Sequence, residues 1–83
     1  MKVTIKYFAS IREAIGNGSE ARETEAATLA ELRDELIASS PVYAQALARG
    51  KAVRMALDQV MRDEAAVLRD DSEVAFFPPV TGG

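Results

Sequence analysis

One amphipathic helical stripe, set between two alternating apolar segments, limits the fold more than any other feature of this sequence. Leu29, Leu32, Leu36 and Ile37 recur at i, i+3, i+7 and i+8, the spacing of a single buried helix face. Ahead of them, Thr28-Leu29-Ala30-Glu31 has the form of a capping box, in which Thr28 accepts from the amide three residues on and Glu31 reaches back. Glu31, Arg33, Asp34 and Glu35 fall outside the stripe, and Glu31, Asp34 and Glu35 read as a solvated face. Such a stripe has to be buried, and the partner on offer is a sheet. Residues 2–8 give the first strand by alternation, with Val3, Ile5 and Tyr7 on one face and Lys2, Thr4, Lys6 and Phe8 on the other. Residues 73–77 give the last, with Val74 and Phe76 pointing one way and Ala75 and Phe77 the other.

The intervening segments complete the order. Ser10-Ile11-Arg12-Glu13 has capping-box spacing and predicts a short helix to Ile15, stopped by Gly16 in the left-handed C′ position. Residues 19–26 are polar and charged, and are expected as an edge strand paired with the first. Ser40 and Pro41 predict another helix, with serine as cap and proline at the first helical position, running to a stop at Gly50. Residues 52–57 read as a strand, Asp58-Gln59 as a turn and residues 60–62 as its return. Residues 63–72 read as a loop anchored by Val67 and Leu68. A hairpin, a crossing helix and a second hairpin place the two terminal strands parallel at the sheet centre. The expected fold is therefore α+β, a β-grasp (ubiquitin-like) domain. It has a mixed sheet, one main crossing helix and short extra helices over residues 1–77, followed by a separate tail, residues 78–83.

Composition then removes whole classes of chemistry. The chain has 83 residues and contains neither cysteine nor histidine. Thiol nucleophiles, disulfides and histidine-based general catalysis are excluded, and no metal site is expected from carboxylates alone. A domain of this size buries roughly 60% of its unfolded surface, too little to wall a deep pocket, so the protein is expected to be handled by others. Its 10 basic residues are dispersed against 13 acidic ones, without the basic stripe that nucleic acid requires. No Walker-type loop or dinucleotide fingerprint occurs, and Asp70-Asp71 reads as plain loop. No run approaches the ~18 apolar residues of a membrane span, and residues 1–10 do not read as a secretory signal. A cytoplasmic protein is expected.

The chemistry gathers after the last strand, in Pro78-Pro79-Val80-Thr81-Gly82-Gly83. Two prolines cannot continue a central ladder and favour an extended exit. Six residues reach up to ~20 Å, and the last four carry too little apolar mass to pack back on so small a core. A stiff exit and then a thin arm ending in a carboxylate are expected. Glycine lacks a Cβ, so Gly82 and Gly83 can thread a narrow channel. A carboxylate is a poor acyl donor, but its mixed anhydride with AMP is a good one. A sulfur nucleophile that displaces AMP leaves a terminal thiocarboxylate. Phe8 and Phe77 both lie on the face away from the core, so neighbouring terminal strands would join them in an exposed apolar patch beside the tail, a partner surface. Met61 can join that patch or take a core position; its alternation allows either.

The run EVAFFPPVTGG, residues 73–83, resembles the C-terminal signature of the molybdopterin synthase small-subunit family. VTIKYFASIREAIG resembles that family's first strand and helix, and the length and element order agree over essentially the whole chain. The resemblance implies a sulfur carrier. An ATP-dependent activating enzyme would adenylate Gly83, and a sulfurtransferase or cysteine desulfurase system would convert it to a thiocarboxylate. The large subunit would take up Thr81, Gly82 and Gly83, with Phe8, Phe77, Met61, Pro78, Pro79 and Val80 at the interface, in a heterotetramer of two small and two large subunits. Sulfur would pass to precursor Z, cyclic pyranopterin monophosphate, to build the molybdopterin dithiolene. No cofactor would be held permanently, ATP being consumed by the activating enzyme. The same tail also suits a thiamine-pathway sulfur carrier, against which the FFPP run argues, or a ubiquitin-like protein modifier. Asp58-Gln59, where the family often has asparagine before glutamine, and the charged Arg62-Asp63-Glu64 depart from its pattern and bear on docking detail.

Overall fold

The computed structural model describes residues 1–79. Strand β1 (Lys2–Tyr7) leads into helix α1 (Ala9–Ile15), and β2 (Ser19–Glu23) returns beside β1. Helices α2 (Leu29–Ser39) and α3 (Pro41–Leu47) follow, then the hairpin β3 (Arg54–Leu57) and β4 (Val60–Arg62), and finally β5 (Glu73–Phe77). The sheet order is β2-β1-β5-β3-β4. β1 and β5 are parallel at its centre, with Ile5 opposite Val74, and each is flanked by an antiparallel neighbour. This is the β-grasp arrangement expected from the element order.

The core lies between the sheet and α2. Val3, Ile5, Tyr7, Val74 and Phe76 pack with Leu29, Leu32 and Leu36 of the helical stripe, all buried, while Ile37 sits at the margin. Tyr7 stacks between Phe76 and Tyr43, with ring centroids 6.2 and 6.1 Å away. Its hydroxyl and that of Tyr43 both donate to Glu20 on the edge strand. Burial, with the adjacent Glu20 carboxylate, pushes the Tyr7 hydroxyl far above its ordinary range, so it remains a neutral donor.

The helix caps agree with the sequence at α2 and at the start of α3. Glu31 N–H donates to Thr28 Oγ1 at 3.2 Å, and Glu31 Oε1 accepts from the Ala27 amide. Ser40 Oγ accepts from Val42 N–H with Pro41 in the first turn. At α1 the expected Ser10 cap is replaced. Phe8 occupies the N-cap position without a side-chain cap bond. The cause is the sheet: Phe8 N–H donates to Phe76 O at 3.1 Å, which holds the chain extended through Phe8. Ala9, at φ 51°, then makes the turn, leaving Ser10 already inside the helix. Gly16 closes α1 in the left-handed region, φ 83°, as expected.

Four other expectations are corrected. β2 ends at Glu23 rather than residue 26, because Thr24 and Ala26 turn inward and are buried. β3 begins at Arg54 rather than residue 52. Val67 is 63% exposed, and the loop is anchored by Ala66 and Leu68. Helix α3 stops at Leu47, not at Gly50, because of Arg33, which lies outside the apolar stripe of α2 and is buried. Its guanidinium donates to the carbonyls of Leu47 at 2.8 Å, Ala48 at 2.8 Å and Lys51 at 3.2 Å, and pairs with Glu64 at 2.9 Å. A side chain thus satisfies the helix-end carbonyls that a left-handed glycine would otherwise cover.

Two consequences can be measured. Asp58 and Gln59 have φ of 50° and 69°, the two-residue hairpin geometry that favours glycine. Gln59→Gly should remove a left-handed cost of roughly 1–2 kcal/mol and give back part of it as unfolded-chain entropy. The melting temperature should rise by about 2–4 °C, as a net gain near 0.5 kcal/mol implies for so small a domain; a fall would mean that the Gln59 side chain contributes packing. Glu35 accepts from Thr24 Oγ1 and Arg22 Nε, both at 2.6 Å, tying β2 to α2. Burial pushes its carboxyl up, but those two bonds and the Arg22 charge outweigh burial and hold it below the ordinary carboxylate value. A folded-state value below the unfolded one stabilises at higher pH and is lost as pH falls through the folded value. Glu35→Gln should therefore flatten the acid limb of the melting-temperature profile; an unchanged limb would assign it to other carboxylates.

Candidate docking face and tail exit

The sheet face away from α2 is set by register. Lys6, Ala75, Ala56 and Met61 form one row across β1, β5, β3 and β4, and Phe77 stands opposite Arg54 in the next. Since β5 is paired on both sides, it fixes the point where the chain leaves the sheet. Phe8 continues the outward side of β1 and is 46% exposed. Phe8 and Phe77 meet edge to face, with centroids 6.3 Å apart and planes at 85°. Met61 is 51% exposed, on the same face two strands from β5, so it belongs to this surface and not to the core. The face is apolar through its middle. Lys6 and Glu73 pair across it at 3.4 Å, and Arg54, exposed, makes no ion pair among the described residues.

Pro78 and Pro79 leave the sheet next to Phe77 and are half-buried. They line a shallow groove of about 280 Å³ whose walls include Ile11 and Ala14 of α1, Ala46 of α3, and Lys51 and Val53 ahead of β3. Both prolines thus have a fixed bed, and the direction of departure is determined by α1, α3 and the 48–53 connection. Val80, Thr81, Gly82 and Gly83, expected as the tail's reach and reactive end, lie outside the described residues.

The structure therefore brings Phe8, Phe77, Pro78 and Pro79 together and puts Met61 at the far side of the same face. Sequence reading missed Arg54 and Ala56. Alternation within Arg54–Leu57 would have placed both on the outward side, had the strand's first residue been known. Among the described residues no group of three or more acidic side chains is arranged to hold a metal ion, and no helix is long and apolar enough to cross a membrane.

Comparison with known proteins agrees with this geometry. The chain is similar to the molybdopterin synthase sulfur carrier subunit of Escherichia coli (strain K12), 37% identical over 81 residues that cover 98% of this chain and 99% of that protein. Its fold is similar to that of SAMP1 from Haloferax volcanii, with a TM-score of 0.80, 21% identity and full coverage of both chains; at that identity the likeness concerns the fold. It is also similar to a chain in the complex of subunits 1 and 2 of molybdopterin-converting factor from Helicobacter pylori 26695, with a TM-score of 0.70, 25% identity and full coverage of both. The ThiS family model matches residues 5–83, from within β1 through the diglycine, and on that span the chain belongs to the ThiS family.

Proposed function

We propose that this protein is the sulfur-carrier small subunit of a molybdopterin synthase. The observation that carries the reading is the junction at the end of β5, where the outward-facing pair of exposed Phe8 and half-buried Phe77 stands at the root of the segment leading through Pro78-Pro79 to Gly82-Gly83. A partner gripping that pair holds the tail at a defined origin. The likeness to a named sulfur carrier subunit over nearly the whole chain supports the same reading, and in the Helicobacter pylori complex a similar chain is found with a second subunit.

In the proposed cycle a Gly83 carboxylate oxygen attacks the α-phosphorus of ATP on an activating enzyme, and pyrophosphate leaves. A persulfide of a sulfurtransferase or cysteine desulfurase system then displaces AMP to form an acyl disulfide, and a second thiol reduces its S–S bond, releasing the thiocarboxylate. The large subunit docks on Phe8, Phe77 and Met61 and receives Val80, Thr81, Gly82 and Gly83 in its own pocket, where its catalytic lysine lies. There the thiocarboxylate donates sulfur to precursor Z. A dithiolene needs two sulfurs, so two loaded carriers are used per pterin, in a heterotetramer of two small and two large subunits. The small subunit holds no cofactor, and the cycle runs in the cytoplasm.

Intact mass spectrometry after incubation with activating enzyme, ATP and sulfur donor tests this. Exchange of oxygen for sulfur adds about 16 Da, as methionine sulfoxide also does, so fragmentation must place the gain at Gly83. Phe77→Ala should weaken large-subunit binding at least tenfold, a hot-spot loss of about 1.4 kcal/mol or more, with little change in melting temperature. A large drop in melting temperature with unchanged binding would overturn the docking assignment. A high-mass ladder of conjugates from a tagged copy, without sulfur at Gly83, would replace the carrier by a protein modifier.

A further inference from the structure

A second surface lies on the opposite side of the sheet from Phe8 and Phe77. β4 is an edge strand, paired only with β3. In a two-residue hairpin closed by Leu57 and Val60, the Met61 N–H and C=O point away from β3, toward the open edge. Val60 and Arg62 pair with Leu57 and Met55, so their side chains lie on the helix-side face. They are nevertheless exposed, Val60 at 58%, because α2 packs over the strands nearer the sheet centre. The 63–72 loop runs alongside and adds Val67 and Arg69. Between them is an open groove of about 420 Å³ with an apolar floor of Leu57, Val60, Ala65 and Val67, two guanidinium groups, and Asp58 and Ser72.

The charges decide what this groove fits. Arg62 and Arg69 make no ion pair among the described residues. None of the neighbouring acids pairs with them: Asp58, Asp63 and Asp70 each accept from a backbone amide, of Glu73, Ala65 and Lys2. A chain of net charge −3 thus keeps two unpaired cations beside an open strand edge and an exposed valine pair. On the other free edge of the sheet, β2, Glu20 is held by Tyr7 and Tyr43, and Glu23, exposed, lies 3.9 Å from the N-terminal amine.

We infer that the β4 edge and this groove bind an extended, carboxylate-bearing segment of a partner protein. The segment adds its backbone at Met61, rests an apolar side chain on Val60 and Val67, and presents carboxylates to Arg62 and Arg69. The groove faces away from the aromatic pair, so its occupant leaves Phe8 and Phe77 uncovered. The inference does not depend on what the tail carries.

The probe is the blocked peptide Ac-Val-Thr-Glu-Thr-Glu-Thr-NH2, which puts one valine and two carboxylates on one side of a strand, titrated into the full-length chain and followed by amide chemical shifts. Shifts should concentrate at residues 60–62 and 65–69 and leave Phe8 and Phe77 unmoved. The Arg62→Glu, Arg69→Glu double variant should weaken binding at least tenfold, as should replacing both peptide glutamates by glutamine. Both substitutions are at exposed side chains, and the variant's own amide spectrum confirms that it is folded. Absence of shifts at the β4 edge, equal binding of the glutamine peptide, or shifts centred on Phe8 and Phe77 would overturn the proposal. So would concentration-dependent broadening of β2 and β4 together without peptide, which would give the edge to a second copy.

Discussion

A chain with one alanine added after Gly83 is expected to fold and melt like the unextended protein, and to acquire no thiocarboxylate and transfer no sulfur. The first half follows from where the stabilising contacts lie: among the described residues the buried cluster runs from Val3 to Phe76 and draws nothing from those after it. The second follows from the proposed chemistry. An added residue shifts the carboxylate by about 3.5 Å along an extended chain and puts a Cβ where the Gly82-Gly83 pair has none. Misplacing a reacting atom by ~1 Å can cost about a hundredfold, and this displacement is larger. Melting curves and the intact mass after incubation with activating enzyme, ATP and sulfur donor check both halves. Normal loading of the extended chain would remove the terminal carboxyl from the mechanism. Loss of folding would mean that the tail belongs to the domain.

What could be read from the sequence follows from the range of each interaction. Period-two alternation in Lys2–Tyr7 and Glu73–Phe77 and the stripe of Leu29, Leu32 and Leu36 record burial directly, so strands, helix and sheet order were legible. The Phe8–Phe77 contact was legible for the same reason, once the two strands were placed side by side. The failures are tertiary overrides of sound local signals. Ser10 has proper capping spacing, yet a hydrogen bond from Phe8 to Phe76, 68 positions away in sequence, keeps β1 extended past the point where that cap would start a helix. Gly50 is a reasonable stop, yet α3 has already ended at carbonyls capped by a residue of another helix. Val67 and Ala66 compete for one inward position, and a bridge between Val67 and Thr28 turns Ala66 inward. The basic groove at β4 escaped notice because Arg62 and Arg69 come together only through the loop between them.

Arg33 gives the largest expected effect on stability. Its side chain is only 5% exposed and holds Leu47, Ala48, Lys51 and Glu64 at once. Arg33→Ala would leave up to three carbonyls without their donor and one carboxylate with only Arg49. Losing one partner from such a buried network costs about 3 kcal/mol, which lowers the melting temperature of a domain this size by on the order of 15 °C. Arg33→Met separates the causes, since it keeps an apolar stem of similar length and loses every donor. If the donors matter, Met should fall almost as far as Ala; if the stem's packing dominates, Met should recover most of the loss. A drop below about 1 kcal/mol in both would show that water replaces the guanidinium at the end of α3 at little cost. The effect should also reach the tail. Lys51 and Val53, in the connection that Arg33 pins, form part of the bed on which Pro78 and Pro79 lie. Below its own melting temperature, Arg33→Ala should keep the Phe8–Phe77 face and bind the large subunit, but transfer sulfur more slowly, because the tail then leaves the sheet in a less defined direction. A proportionate loss of binding and transfer would instead mean that Arg33 contributes only to overall stability.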